Sequence, residues 1–324
     1  MKRNDLQGFA LFAFLSVTSF LFASLCGAEQ KNHGAAEKTL ATAPEGYLLG
    51  QIVFGPGGRK VAFSAGKEGK WRLFEGDKMS EAYDGVKMIA FSPDGSRIAF
   101  SGRRGSKETL VADGKEVSSY DWVCNPTFSP DGRIIAHEAR SGNEFFVVVG
   151  DRESPHHDMS LIRPVFSPDS RYITYLLRDQ ENKQSLSYVS DADTGEVKKA
   201  VAYDSITGVV FSPDGVWFAY AAEKGGRQFV VVSAFTGTAG SEKEGPAYDS
   251  VRNIIISPDN RNIAYIAEKG GTKFLVVSTR EMNKQKEFGG YEGIWNHLFS
   301  PDGKSVLFNV RSGQKLLWKA EPVE

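Results

Sequence analysis

Phe91-Ser-Pro-Asp-Gly-Ser-Arg-Ile-Ala-Phe100 is a stretch that recurs, with small changes, seven times along the 324-residue chain. The proline of each copy is the clearest landmark, and successive prolines lie 37 to 45 residues apart. The seven prolines are Pro56, Pro93, Pro130, Pro168, Pro213, Pro258 and Pro301. A period of about 40 residues is typical of one four-stranded blade of a propeller.

The Ser-Pro-Asp-Gly element predicts a tight turn between two strands. Proline presets φ at the second turn position, Asp suits the third, and Gly takes the left-handed position that follows. This is a type I turn with a G1 bulge, a common hairpin connection. Asn260 replaces the glycine in the sixth copy and tolerates a positive φ better than most residues. Ser170 replaces it in the fourth copy, where we expect a strained or altered turn.

The segments around each turn predict strands that are covered on both faces, because apolar runs such as Phe229-Val-Val-Val232 leave no polar side. A small residue recurs in the second strand and indicates close packing between neighbouring blades. It is alanine at Ala62, Ala99, Ala136, Ala219 and Ala264. We therefore predict an all-β fold for residues 44–324: a seven-bladed β-propeller of four-stranded antiparallel blades.

The two ends of the repeat region suggest how the ring closes. The seventh copy stops soon after its third strand, near Glu321, while residues 44–50 precede the first copy and are free to pair elsewhere. Because an open array would leave exposed sheet edges, we expect residues 44–50 to supply the fourth strand of the last blade.

The first residues of the chain predict export. Met1-Lys2-Arg3 is followed by an apolar stretch to Leu25 and by small residues before Glu29, the order of a secretory signal peptide over residues 1–28. Two alternatives remain: lipidation of Cys26, or an uncleaved anchor, because the apolar run approaches the ~20 residues that span a bilayer. Residues 29–43 predict a flexible tether. Each alternative places the propeller outside the cytoplasm, in the periplasm or associated with the cell envelope.

The amino-acid composition argues against several classes of partner and site. A net charge of −1 provides no strong basic field, so we do not expect nucleic acid as a partner. Two cysteines cannot form a multi-disulfide scaffold or a Cys-rich metal site, and Cys124 fits a small buried hydrophobic position. No Gly-x-Ser-x-Gly element occurs. We expect a monomer with no cofactor, no metal and no catalytic residue.

The seven copies resemble the WD40-like, TolB-type propeller repeat of exported bacterial proteins. The resemblance covers about residues 46–321 and implies the propeller fold. It says little about activity, because this fold carries many functions. In TolB-type proteins the propeller follows a separate α/β domain and binds a lipoprotein partner. Here we do not expect that domain, since about fifteen residues separate the predicted signal peptide from the propeller.

An acidic residue recurs just before the first strand of six copies. These residues are Asp84, Asp121, Asp158, Asp204, Asp249 and Glu292. In a ring they would form a circle of carboxylates that attracts a cation or a basic partner segment. In the alternative interpretation, each carboxylate binds nearby backbone N–H groups and shapes its own turn. Trp122 follows Asp121 where other copies have Gly or Ser, and it could anchor a partner or pack within its blade.

These features favour a non-enzymatic, exported scaffold that binds an envelope protein or peptide through loops on a rigid fold. In this interpretation the membrane is reached only through a lipid or an uncleaved anchor. The alternative is a propeller enzyme, a lyase or hydrolase acting on a polysaccharide or lactone at the channel mouth. Clustering of His297 with two carboxylates would favour the enzyme, whereas His137 fits a packed core position.

Overall fold

The computed structural model of the chain describes residues 39–157, 161–179, 184–235 and 242–323. Regular structure in these residues is all β-strand, apart from one short 3-10 turn at Pro56–Gly58. The strands belong to one compact unit, Leu40–Glu324. No helix of the described part is long and apolar enough to cross a membrane. The predicted signal peptide, including Cys26, most of the predicted tether and Asp158 lie outside the described residues.

Seven antiparallel sheets follow one another along the chain, and each corresponds to one sequence copy. The strands of blades one to three are β1 Leu48–Phe54, β2 Val61–Lys67, β3 Lys70–Glu75, β4 Lys78–Met79; β5 Gly85–Phe91, β6 Ile98–Arg104, β7 Lys107–Ala112, β8 Lys115–Tyr120; β9 Trp122–Phe128, β10 Ile135–Ser141, β11 Glu144–Val149 and β12 Arg152–Glu153. The strands of blades four to seven are β13 Leu161–Phe166, β14 Tyr172–Asp179, β15 Gln184–Asp191, β16 Val197–Tyr203; β17 Ser205–Phe211, β18 Trp217–Lys224, β19 Arg227–Ala234, β20 Lys243–Glu244; β21 Ser250–Ile256, β22 Asn262–Lys269, β23 Thr272–Thr279, β24 Gln285–Tyr291; β25 Gly293–Phe299, β26 Ser305–Ser312 and β27 Lys315–Pro322. The all-β, seven-sheet architecture predicted from the repeats is confirmed.

The predicted pairing between the two chain ends is not detected among the described residues. The seventh sheet has three strands among the described residues, and no strand pairing between it and residues 44–50 is detected. Leu48 pairs with Gly66 and Leu49 with Ala65, so residues 48–50 belong to β1 of the first blade. The reason is local, because β1 runs directly into the first proline turn and pairs with β2 in the same antiparallel way as every other first strand.

The predicted turn is present and has a fixed internal hydrogen bond. In the second blade the Ser92 hydroxyl donates to Asp94 Oδ1 at 2.6 Å, and the amide of Gly95 donates to the Ser92 carbonyl at 2.8 Å. Gly95 has a φ of 67°. Ser170 takes the same left-handed conformation, with a φ of 64°, so its turn is not altered. A serine therefore occupies the position where glycine is least strained.

Both residues that replace the glycine make a bond to the preceding blade. Ser170 Oγ accepts the backbone N–H of Asp131 at 3.1 Å, and Asn260 Oδ1 accepts that of Asp214 at 3.0 Å. Each side chain thus ties its own turn to the turn of the blade before it. This contact offsets part of the left-handed strain and could not be seen within one repeat.

The core is divided into clusters that lie between neighbouring blades. The five recurrent alanines are 0% exposed, as the packing prediction requires. Ala62, for example, packs with Ile98 and Phe100 of the second blade. At the start of the first blade, Ala41, Ala43 and Tyr47 pack against Phe63, Ala65 and Phe74, so the end of the segment predicted to be a tether is in contact with the propeller.

Candidate functional site

The recurrent acidic residues each hold a nearby hairpin. Asp84 Oδ2 accepts the backbone N–H of Gly105 at 2.7 Å, in the turn between the second and third strands of the same blade. The other described members repeat this bond. The pairs are Asp121 with Gly142 at 2.7 Å, Asp204 with Gly225 at 2.7 Å, Asp249 with Gly270 at 2.6 Å and Glu292 with Gly313 at 3.2 Å. These contacts favour the interpretation that each carboxylate shapes its own turn.

Basic side chains accompany several of these carboxylates. The Lys70 ammonium lies 2.6 Å from Asp84 Oδ1 and, together with the Gly105 amide, holds the pKa of Asp84 below its ordinary value. Lys107 lies 2.8 Å from Asp121 and lowers the pKa of that carboxyl in the same way. A cation that bound here would have to displace an ammonium group that is already in place.

Trp122 packs within its blade. It is half-buried, and its ring meets Phe145 edge-on at a centroid distance of 6.3 Å. This contact favours the blade-packing interpretation over that of an exposed anchor. Of the predicted binding residues, the structure therefore shows structural contacts for Trp122 and for the five described carboxylates.

The buried titratable groups occupy packed positions. His137 is 0% exposed, and burial lowers its pKa to about 4. Burial also lowers the pKa of His297 to about 4, so this imidazole is neutral at physiological pH. Cys124 is buried and unpaired with another cysteine, and burial raises its thiol pKa to about 11, which disfavours the nucleophilic thiolate. Within the described ranges no three His, Cys, Asp or Glu side chains come together to hold a metal.

The innermost strands carry a feature that sequence reasoning missed. In all seven blades the pairing between the first and second strands shifts register, which marks a β-bulge. The residues three positions before the end of each first strand lie in this bulge. They are Gln51, Met88, Asn125, Arg163, Gly208, Asn253 and Asn296. Four of these seven residues carry an amide side chain, and this recurrence is the signal that the sequence contains. A search for alternating apolar residues does not detect it, because such a search considers only hydrophobic positions.

Several bulge side chains connect neighbouring blades. Gln51 Oε1 accepts the backbone N–H of Ile89 at 3.1 Å, and Asn253 Nδ2 lies 3.5 Å from the carbonyl of Trp295. Because these side chains stand at the junctions of first strands, the crevices between blades are lined by polar groups. Two such crevices differ in charge.

The crevice between blades one and two carries two cations and one carboxylate. It has a volume of about 520 Å³, and its charged residues are Lys87, Arg103 and Glu108. Lys87 Nζ lies 2.9 Å from Glu108 Oε1, and the other oxygen of this carboxylate accepts the backbone N–H of Val123 at 2.9 Å. Lys87 and Glu108 therefore compensate each other, while Arg103 donates to the backbone carbonyl of Asp84 at 3.2 Å.

The crevice between blades six and seven carries excess positive charge, and we call it the cationic crevice. Its volume is about 390 Å³, and its charged residues are Arg252, Lys273, Arg311 and Glu292. Arg252 donates to the carbonyl of Ile294 at 3.4 Å, and Lys273 donates to that of Glu292 at 3.1 Å. Carbonyl groups carry no formal charge, so these bonds leave both positive charges uncompensated.

The single carboxylate of the cationic crevice is shared. Glu292 Oε2 lies 3.4 Å from Arg311, and its other oxygen accepts the N–H of Gly313. Three cations thus face one carboxylate that is already engaged. Asn253 and Asn296 add amide donors to the same lining. An arrangement of this kind can bind an anionic group through charge-assisted hydrogen bonds.

Comparison with solved structures supports the fold assignment. No protein-family model and no curated protein matches this sequence. A Bacteroides ovatus protein assigned as a dipeptidyl aminopeptidase IV matches over 82% of this chain and 49% of its own, at 12% identity and a TM-score of 0.53. Seven repeated antiparallel sheets and this match point to the same fold. The chain is a β-propeller.

Other propellers show weaker overall agreement. TolB from Acinetobacter baumannii matches over 86% of this chain and 76% of its own, at 15% identity and a TM-score of 0.39. An oligogalacturonate lyase in complex with manganese matches over 82% of this chain and 86% of its own, at 12% identity and a TM-score of 0.45. At such identities the likeness concerns fold and leaves the activity of this propeller open.

Proposed function

We propose that the protein is a non-catalytic binding scaffold of the cell envelope, and that its cationic crevice binds an acidic segment of a partner protein. The observation that carries this proposal is the imbalance of three cations against one engaged carboxylate. The recurrent carboxylates are engaged by their own hairpins, whereas the positive charges of Arg252 and Lys273 are available to a ligand.

The chemistry of the crevice suits a peptide carboxylate. The guanidinium of Arg252 can present two parallel donors to one carboxylate, a geometry that an ammonium group cannot supply. Asn253 and Asn296 can donate to neighbouring carbonyls of an extended chain. Trp295, which is 49% exposed, stands at the same crevice and offers an apolar surface to an adjacent side chain. Together these groups would select an acidic segment with an apolar neighbour.

The proposal is tested with a fluorescently labelled oligoglutamate peptide and the full-length protein. We expect saturable binding in fluorescence anisotropy, with a Kd that weakens at least about tenfold in the Arg252→Ala/Lys273→Ala variant, because two charge-assisted contacts are lost. Binding should also weaken with added salt, since both cations are partly exposed.

The matched control removes the same charge elsewhere. Lys70→Ala/Lys107→Ala deletes two exposed cations that are paired with Asp84 and Asp121, and it should leave Kd within about twofold. Equal weakening in both variants would indicate non-specific attraction and contradict the proposal. Tighter binding of a labelled acidic oligosaccharide than of the peptide would also contradict it, in favour of a polysaccharide ligand.

A further inference from the structure

Glu292 differs from the other recurrent acidic residues in length and in fit. It is a glutamate at a position that is aspartate in five other copies. Its bond to the amide of Gly313 measures 3.2 Å, whereas the four described aspartates hold their glycine amides at 2.6–2.7 Å. Its side chain is 59% exposed, compared with 32%, 31% and 43% for Asp84, Asp121 and Asp249. Among the described members, the turn contact is therefore loosest at Glu292.

The preceding blade supplies a cation to three of these aspartates, from the residue that follows the hairpin turn at the start of its third strand. The ion pairs are Lys70 with Asp84 at 2.6 Å, Lys107 with Asp121 at 2.8 Å and Arg227 with Asp249 at 2.6 Å. In blade six, the register of β22 and β23 places Thr272 at the equivalent position. A hydroxyl carries no charge, so this position cannot give Glu292 the ion pair that the three aspartates receive.

The longer side chain of Glu292 instead reaches a cation of the crevice. Its Oε2 lies 3.4 Å from Nε of Arg311, which lines the cationic crevice. The same Nε also donates to the carbonyl of Gly313 at 3.0 Å. Both charged side chains are more than half exposed, and ion pairs between exposed side chains are weak. Glu292 thus covers Arg311 without being fixed there.

We infer, on the basis of the proposed function, that Glu292 is an internal competitor of the acidic ligand at the cationic crevice. It occupies Arg311 while the crevice is empty, and a carboxylate of the ligand displaces it. The incoming negative charge repels the Glu292 carboxylate, whose bond to Gly313 is lost at the same time. The apparent affinity for the ligand is then lowered by the fraction of molecules in which Glu292 covers Arg311.

A variant that keeps the charge and changes only the length tests this role. Glu292→Asp should bind the Gly313 amide as the other aspartates bind theirs, and should withdraw from Arg311. With the full-length protein and the labelled oligoglutamate peptide, we expect fluorescence anisotropy to give a Kd about three- to fivefold tighter than that of the wild type. This is the upper part of the range that an exposed ion pair can contribute. Glu292→Gln, which also removes the charge, should tighten Kd at least as much.

The matched control removes a carboxylate from the same position of another blade. Asp84→Asn lies outside the cationic crevice and should leave Kd within about 1.5-fold. An unchanged or weaker Kd for Glu292→Asp, with binding that still depends on Arg252 and Lys273, would overturn the competitor role and leave the proposed function intact. Absence of saturable binding in both the wild type and Glu292→Asp would overturn both.

Hydrogen exchange at Gly313 reports displacement independently of affinity. Saturating peptide should speed exchange of the Gly313 amide in the wild type, measured by NMR, because its bond to Glu292 is lost. The reference is the Gly105 amide, which Asp84 holds at 2.7 Å and which should exchange at the same rate with and without peptide. In the free protein, Glu292→Asp should slow exchange at Gly313. Exchange at Gly313 that is unchanged or slower in the peptide complex would show that Glu292 is not displaced and would overturn the inference.

Discussion

The left-handed turn position shows how one residue serves both its own hairpin and a neighbouring blade. Where this position is glycine, the backbone adopts a φ such as 67° at Gly95 without a steric penalty. Ser170 and Asn260 adopt φ values of 64° and 63° and accept a backbone N–H from the preceding blade. The side-chain bond explains why a residue other than glycine is tolerated there.

Replacement of Ser170 separates strain from hydrogen bonding. Ser170→Ala keeps the unfavourable φ, loses the bond to Asp131 and should lower the free energy of unfolding by about 1–2 kcal/mol. Ser170→Gly loses the same bond but relieves the strain, so it should be less destabilising. Urea denaturation of both variants checks the order. An alanine variant at least as stable as the glycine variant would contradict this account.

Acid stability should depend in part on the turn aspartates. The Ser129 hydroxyl and the Arg133 amide hold the pKa of Asp131 at about 2, below the ordinary 3.8. Because the folded state favours the carboxylate, its stabilising contribution is fully present above about pH 4 and is lost as pH falls through about 2. Asp131→Asn should therefore be less stable than the wild type at pH 5, with a difference that shrinks towards pH 2.

Urea denaturation of the wild type and Asp131→Asn between about pH 2 and pH 6 measures this difference. Ser129→Ala removes the principal hydrogen-bond donor to the carboxylate and should show the same trend to a smaller extent. A difference in stability that is constant across the whole pH range would contradict the assignment.

At the scale of the element, the second hairpin of five described blades is held by a carboxylate from the segment that leads into the first strand. Asp204 and Gly225 are far enough apart in sequence to fasten two loops at one end of a blade. The same bond occurs in four other described blades, so it is part of the blade design. The recurrence of the acidic residue, which predicted a circle of carboxylates, is therefore explained by a turn contact that these blades repeat.

Removal of these carboxylates should affect stability rather than cation binding. Asp204→Ala should lower Tm by about 2–4 °C through loss of the bond to Gly225. Calorimetric titration with Ca²⁺ should give no saturable heat for the wild type or for Asp121→Ala/Asp204→Ala. Saturable binding by the wild type that disappears in the double variant would restore the cation-binding hypothesis.

At the scale of the whole molecule, the proposed binding site depends on a junction between blades. The cationic crevice combines Arg252 and Asn253 of blade six with Arg311 of blade seven, and no single repeat contains it.

The sequence by itself determined the local architecture: the proline turns, the seven hairpins, the apolar strands and the buried alanines. These features follow from φ preferences and side-chain periodicity. Both act over a few residues and can therefore be recognised in a single copy of the repeat. Seven copies then made the number of blades clear. The amide bulges were also present in the sequence, but their role depended on a register shift that no hydrophobic pattern encodes.

Only the tertiary structure decided which groups meet. It showed that residues 48–50 pair within the first blade, that the recurrent carboxylates are engaged by glycine amides, and that the excess cations gather between blades six and seven. The physical reason is that these contacts join residues from different repeats or opposite ends of a hairpin. Their partners are set by blade stacking, and a linear pattern contains no direct record of which faces lie against each other.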